Sequence, residues 1–182
     1  MSGSLQKFTT EFVPEEDRLR LSGEVEGGPQ VVLWLTQRLL RRLVPHLCAW
    51  LEKQPLPGVS AALPHAMALE HEQIQHMAQQ AAQGALQAQK QEPVQAQPCA
   101  FNGLVQIVKL ETREARLQLI LRVEQESPTE FSIGFAPTGL RQWLGIVYRH
   151  YESAQWPLEI WPQWFTPRAT AGHDLPVAAM LH

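Results

Sequence analysis

Twice along this chain of 182 residues the apolar spacing changes from every second residue to every third or fourth. Each change marks a set of strands giving way to a helix. In the first block "KFTTEF" at 7–12 puts Phe8, Thr10 and Phe12 on one side, and "RLRLSGEV" at 18–25 sets Leu19, Leu21 and Val25 against Arg18, Arg20 and Glu24. The turn signal "EGGP" follows, then a third strand, "QVVLWL" at 30–35. Thr36 is an N-cap candidate for a helix over 37–53, in which Leu39, Leu40, Leu43, Val44, Leu47 and Leu51 form the apolar stripe and Arg38, Arg41, Arg42 and Lys53 the polar side. Pro45 lies inside that helix and predicts a kink near Arg41.

The second block repeats this order. Strands are expected over 103–111, 116–124 and 131–135, and then a helix over 139–156, capped by Thr138, striped by Leu140, Trp143, Leu144, Val147, Tyr148 and Tyr151, and stopped by Pro157. The fold class is therefore α+β, an antiparallel β-sandwich or sheet in which each meander feeds a helix. No residue-level identity that would prove a duplication joins the two blocks. At this length a single domain over 1–182 is expected, with one core burying about 70% of the surface exposed by the unfolded chain.

Between the blocks, "KQPLPGVSAALP" supplies a Pro-rich turn over 54–63, and a second inserted helix is expected over 64–90. Its apolar positions Met67, Leu69, Ile74, Met77 and Leu86 make a thin stripe, and ten glutamines lie between Gln73 and Gln97, so it reads either as an exposed helix laid over the domain or as an arm that docks on a partner. A flexible linker over 88–100 follows. The tail 157–182 sets Trp161, Trp164 and Phe165 among prolines, where no regular helix forms. Such rings do not stay in water, so they belong either against the chain's own sheet or in a subunit interface. The interface candidates are Trp143, Val147, Tyr151, Trp161, Trp164 and Phe165.

Net charge is −3, which leaves no basic field for wrapping nucleic acid, and Arg38, Arg41 and Arg42 read as a solvated helix face. No stretch approaches the roughly 18 apolar residues of a membrane span, and "MSGSLQKFTTEF" lacks the apolar run of a secretory signal. A cytoplasmic protein without membrane contact is expected. Cys48 and Cys99 form no CxxC pair, and Cys48 falls on the apolar side of the first helix as a small core residue.

"HEQIQH" at 71–76 resembles a zinc-protease signature, but its histidines are five apart and stand roughly 140° around a helix from each other. A metal site would need His71, Glu72 and His76 joined by ligands from elsewhere. His173 beside Asp174 has no indicated nucleophile, and phosphate-loop, dinucleotide and GxSxG patterns are missing. No cofactor is expected. The function expected is a non-enzymatic interaction or scaffold module, a homo-oligomer with a protein partner yet to be identified. The alternative is a metal-dependent or small-ligand enzyme using Glu72 and His76.

Over residues 5 to 156 the order of strands, inserted helix pair, strands and terminal helix resembles the head domain shared by the end-joining repair scaffold proteins and the centriolar cartwheel protein. The resemblance implies a small β-sandwich with a helix-turn-helix insert and a self-associating interaction role. In that superfamily the last helix continues into a coiled-coil stalk. Here Pro157 ends it and the aromatic tail takes its place.

Overall fold

The computed structural model describes residues 2–55, 68–88 and 92–166. Among the described residues seven strands and three α-helices follow one another in the order β1 (Ser2–Val13), β2 (Arg18–Val25), β3 (Gln30–Thr36), α1 (Gln37–Glu52), α2 (Ala68–Ala88), β4 (Phe101–Leu104), β5 (Ile107–Arg113), β6 (Arg116–Val123), β7 (Thr129–Phe135) and α3 (Pro137–Ser153). The α+β class expected from the two period changes is present. One sheet, β4-β3-β2-β1-β7-β6-β5, contains all the strands, and it is mixed: β3·β4 and β1·β7 are parallel joints between antiparallel meanders.

This corrects the antiparallel sandwich or sheet. Alternation reports that one face of a strand is buried but carries no sign of the neighbour's direction. The parallel joints arise because two stretches of chain each serve two neighbours. Ser2–Ser4 pair with β7, and beyond an irregularity at Leu5–Lys7 the same strand pairs with β2. The strand expected over 103–111 divides likewise into β4 on β3 and β5 on β6. At the division Val105 donates its N–H to Trp34 O (3.0 Å) and Gln106 donates to Arg122 O (3.1 Å). The sheet thus curls into a half-barrel whose two edge strands are consecutive in the chain. Gly103 permits the curl, because a Cβ there would stand 2.7 Å from Val123 Cγ1.

Both helices follow their strands as the periodicity requires. Thr36 Oγ1 accepts the Leu39 N–H at 3.1 Å, and α1 continues through Pro45 to Glu52 as one element. The third helix begins at Pro137, not at 139, since proline at the first helical position has no N–H to leave unsatisfied. It ends at Ser153, short of 156. Gln155 adopts φ 55°, and the Trp156 N–H returns to Tyr151 O at 2.9 Å, a left-handed closure of the last turn. Among the described residues no helix is long and apolar enough to cross a membrane.

The helices α1 and α3 lie against the inner face of the curled sheet, and α2 packs on α3. Leu19, Leu21, Leu33, Leu35, Leu117, Leu119, Phe131 and Ile133 from the strands form one cluster with Leu40, Leu47, Leu51, Leu140, Leu144, Val147 and Tyr151 from α1 and α3. The two halves of that cluster correspond. From β3 into α1 and from β7 into α3, buried residues recur at a constant offset of 100: Leu33 and Ile133, Leu35 and Phe135, Leu40 and Leu140, Val44 and Leu144, Leu47 and Val147, Leu51 and Tyr151.

The described part of the tail, residues 157–166, adds to the core. Trp161 lies between Tyr148 (5.2 Å between ring centres), Tyr151 (5.5 Å) and Phe165 (4.7 Å), and Trp164 Nε1 donates to Glu52 Oε1 at 2.8 Å. Trp161, Trp164 and Phe165 are buried within the chain, so they join α1 to α3. Removing a buried ring of this size costs about 3–5 kcal/mol, more than a core Leu to Val change. Trp161→Ala is expected to lower unfolding stability by that amount in urea denaturation. A loss under about 1 kcal/mol would show that the tail lies on the core without supporting it.

Candidate functional site

Three places hold the residues in question: the α2–α3 contact, the aromatic cluster, and the space between α1 and β5. The first is polar. Gln75 and Gln79 on α2 are buried, whereas Met77 of the expected apolar stripe is 66% exposed, so the helix turns a glutamine face inward. The partner surface explains this. Gln79 Nε2 and Gln83 Nε2 donate to Arg141 O (2.9 and 3.0 Å), and Gly145 leaves room for the Gln83 amide where a Cβ would collide. Arg141 is itself buried; its guanidinium donates to Gln75 O and Gln75 Oε1 and stands 5.3 Å over the Trp164 ring. Burial draws its pKa down, while Cys48 and Glu52 nearby act in the opposite sense. A cation there needs acceptors, and Gln75 supplies them.

The histidines serve the same contact. His76 Nδ1 lies 3.0 Å from Trp164 O, and a carbonyl only accepts, so Nδ1 donates. The Gln80 amide, 2.8 Å from Nε2, then donates to the free lone pair. Both ring nitrogens are thus engaged in fixing the tail to α2. His71 is exposed and faces Gln75 Nε2 at 3.4 Å, and Glu72 is half-buried. Among the described residues no group of three or more His, Cys, Asp or Glu converges to hold a metal ion. His173 and Asp174 lie outside the described residues.

The six interface candidates are brought together, but inside one chain. Trp143, Val147, Tyr151, Trp161, Trp164 and Phe165 are all 7% exposed or less. Of the helix arginines, Arg38 and Arg42 are exposed, and Arg41 pairs with Glu159 at 3.2 Å in solvent. The stretch expected as a flexible linker is tied at two points: Val94 donates to Thr9 Oγ1 and Ala100 to Gln30 O, each at 2.8 Å.

The open feature emerges from the correspondence of the two halves. On the core side of β1, Phe8, Thr10 and Phe12 are covered. Trp143 stacks on Phe135 at 5.4 Å, meets Phe8 at 6.5 Å and donates to Thr10 Oγ1 at 3.1 Å; His150 Nε2 donates to Thr10 O at 2.9 Å; Trp156 closes on Phe12 at 5.5 Å. In the other half β5 takes the place of β1, α1 that of α3, Leu43 that of Trp143 and Thr112 that of Phe12. Smaller side chains leave a groove of about 330 Å³ lined by Leu39, Arg42, Leu43, His46, Gln106, Ile107, Val108 and Leu110. Ile107 is 41% and Leu110 38% exposed, the two large apolar residues left in water on the sheet. Among the described residues β5 is also an edge strand, paired on one side only, by β6.

The offset of 100 is legible in the sequence once the strand registers align the halves, yet no residue motif announces it. No protein-family model, curated protein or solved structure matches this chain.

Cys48, buried beside Arg141 and Glu52, is not a nucleophile in the native state. Burial, aided by Glu52, pushes its thiol from 9.0 up to about 12. The folded state keeps the proton that the unfolded chain releases above pH 9.0, so this contribution is intact below pH 9.0 and declines from there toward pH 12. Urea midpoints are expected to fall between pH 9 and 11 more steeply for the native protein than for Cys48→Ala, and native Cys48 is expected to resist a neutral thiol reagent that labels Cys99. Equal slopes, or labelling of both thiols at one rate, would contradict the burial argument.

Proposed function

We propose that the chain is a non-enzymatic protein–protein interaction module that self-associates, with the groove between α1 and β5 as its docking surface. The observation that carries this reading is the exposure of Leu110 beside a strand edge that no described strand pairs, where the corresponding surface of β1 is covered by Trp143, His150 and Trp156. Exposed apolar side chains joined to free backbone donors and acceptors are what strand addition uses: the backbone gives affinity and the apolar groove gives selectivity. A catalytic reading through Glu72 and His76 has less support, because both nitrogens of His76 are occupied by Trp164 and Gln80.

The likeness in element order to the repair-scaffold and cartwheel heads agrees with a self-associating role. The surface differs from the one expected from the tail, since the aromatic residues are already spent on intramolecular packing. A cytoplasmic setting fits the two free cysteines, Cys48 buried and Cys99 partly exposed.

Sedimentation equilibrium tests the reading directly. The wild-type mass is expected to rise with concentration from 20.6 kDa toward twice that value, and Leu110→Lys is expected to stay near 20.6 kDa with its thermal melt unchanged. A wild type of 20.6 kDa at every concentration would overturn self-association.

A further inference from the structure

We infer that the occupant of the groove is β5 of a second copy of this chain, added antiparallel about a two-fold axis at Leu110, so that one sheet runs through both copies. The inference rests on the self-association reading and names its partner strand and register.

The backbone argument starts from β1. His150 reaches Thr10 O, so the carbonyl of Thr10 points away from β2 along the outer edge. Leu110 is its counterpart: Thr10 lies opposite Leu21 in the β1–β2 pair, and Leu110 opposite Leu119 in the β5–β6 pair. In a strand the N–H and C=O of one residue point to the same edge, and alternate residues share that edge. Val108, Leu110 and Thr112 therefore present their backbone groups outward. A second strand centred on Leu110 exchanges both bonds between the two Leu110 residues and between Val108 and Thr112.

Side chains select the same centre. Val108, Leu110 and Thr112 lie opposite Leu121, Leu119 and Leu117 and share the core side, so the partner's Leu110 covers the gap beside Leu43. On the solvent side Lys109 meets Glu111 of the partner subunit, and Glu111 meets the partner's Lys109. Centring on Lys109 or on Glu111 instead would set that charge against its own copy, and would use backbone groups already turned to β6. The present contacts of these residues, Lys109 with Glu130 and Glu111 with Arg113 at 3.4 Å, are solvent-exposed and weak enough to exchange.

Charge reversal reads the register. Lys109→Glu and Glu111→Lys are each expected to weaken dimerisation about tenfold by sedimentation equilibrium, since each puts like charges across the axis twice, and the double variant is expected to regain the wild-type constant within about threefold. A dimer that Leu110→Lys dissociates but that the double variant does not restore would overturn this register and leave the self-association reading standing. A wild-type monomer at all concentrations would overturn both and leave the groove to a strand from a different protein.

Oxidative cross-linking gives a second readout. In a Cys99→Ser background, Lys109→Cys and Glu111→Cys face each other across the axis at the roughly 4.5 Å Cα separation of a non-hydrogen-bonded pair, a distance a disulfide accepts. Covalent dimer is expected on mixing the two proteins and in neither alone. Cross-linking of Lys109→Cys with itself would overturn the assignment.

Discussion

The fold depends on two stretches of backbone that each pair with two different neighbours. β1 begins parallel to β7 and ends antiparallel to β2; the β4–β5 stretch begins parallel to β3 and ends antiparallel to β6. Without these shared stretches the molecule would be two three-stranded meanders, each marginal by itself. Sharing them brings the two sheet ends together and makes the concave face narrow enough for α1 and α3 to fill it. The same sharing places β1 and β5 at corresponding positions, each with an outer edge that something must cover.

How much of this was legible in the sequence depends on which residues carried the signal. Leu117, Leu119, Leu121 and Val123 alternate with Arg116, Gln118, Ile120 and Arg122, polar but for Ile120, and β6 lies where that alternation places it. Ser2–Ser4 carry no alternation, yet they form one of the two parallel joints that shape the sheet. Polar, glycine-containing segments pair when geometry brings an edge to them, and nothing in their composition records it. The inserted helix misled for a related reason. Its buried face is Gln75, Gln79 and Ala82 because it packs on backbone carbonyls exposed beside Gly145 and on the buried Arg141 guanidinium, whereas an apolar stripe is evidence only for packing against apolar surface.

The candidate site was less legible still. Trp143, Tyr151 and the tail aromatics stood out by size, and size led to their reading as contact residues. In the structure they are consumed by one another. Leu110 looked ordinary within a strand pattern, and it becomes notable only because α1 has Leu43 where α3 has Trp143. An exposed apolar side chain is common on any protein; its meaning here comes from the covered counterpart in the same molecule.

That comparison also separates a docking edge from a protected one. Natural edge strands avoid association by charge, brevity, bulges or a covering element. β1 has the covering element: α3 reaches its Thr10 backbone, and the 92–95 segment reaches Thr9. Among the described residues β5 has neither, and what blunts it there is Lys109, Glu111 and Arg113 on the solvent side. Charges of a single sign would repel any identical strand. Alternating signs at Lys109 and Glu111 repel one only in the wrong register, so the pattern that keeps this edge from pairing at random is the same pattern that admits one antiparallel copy.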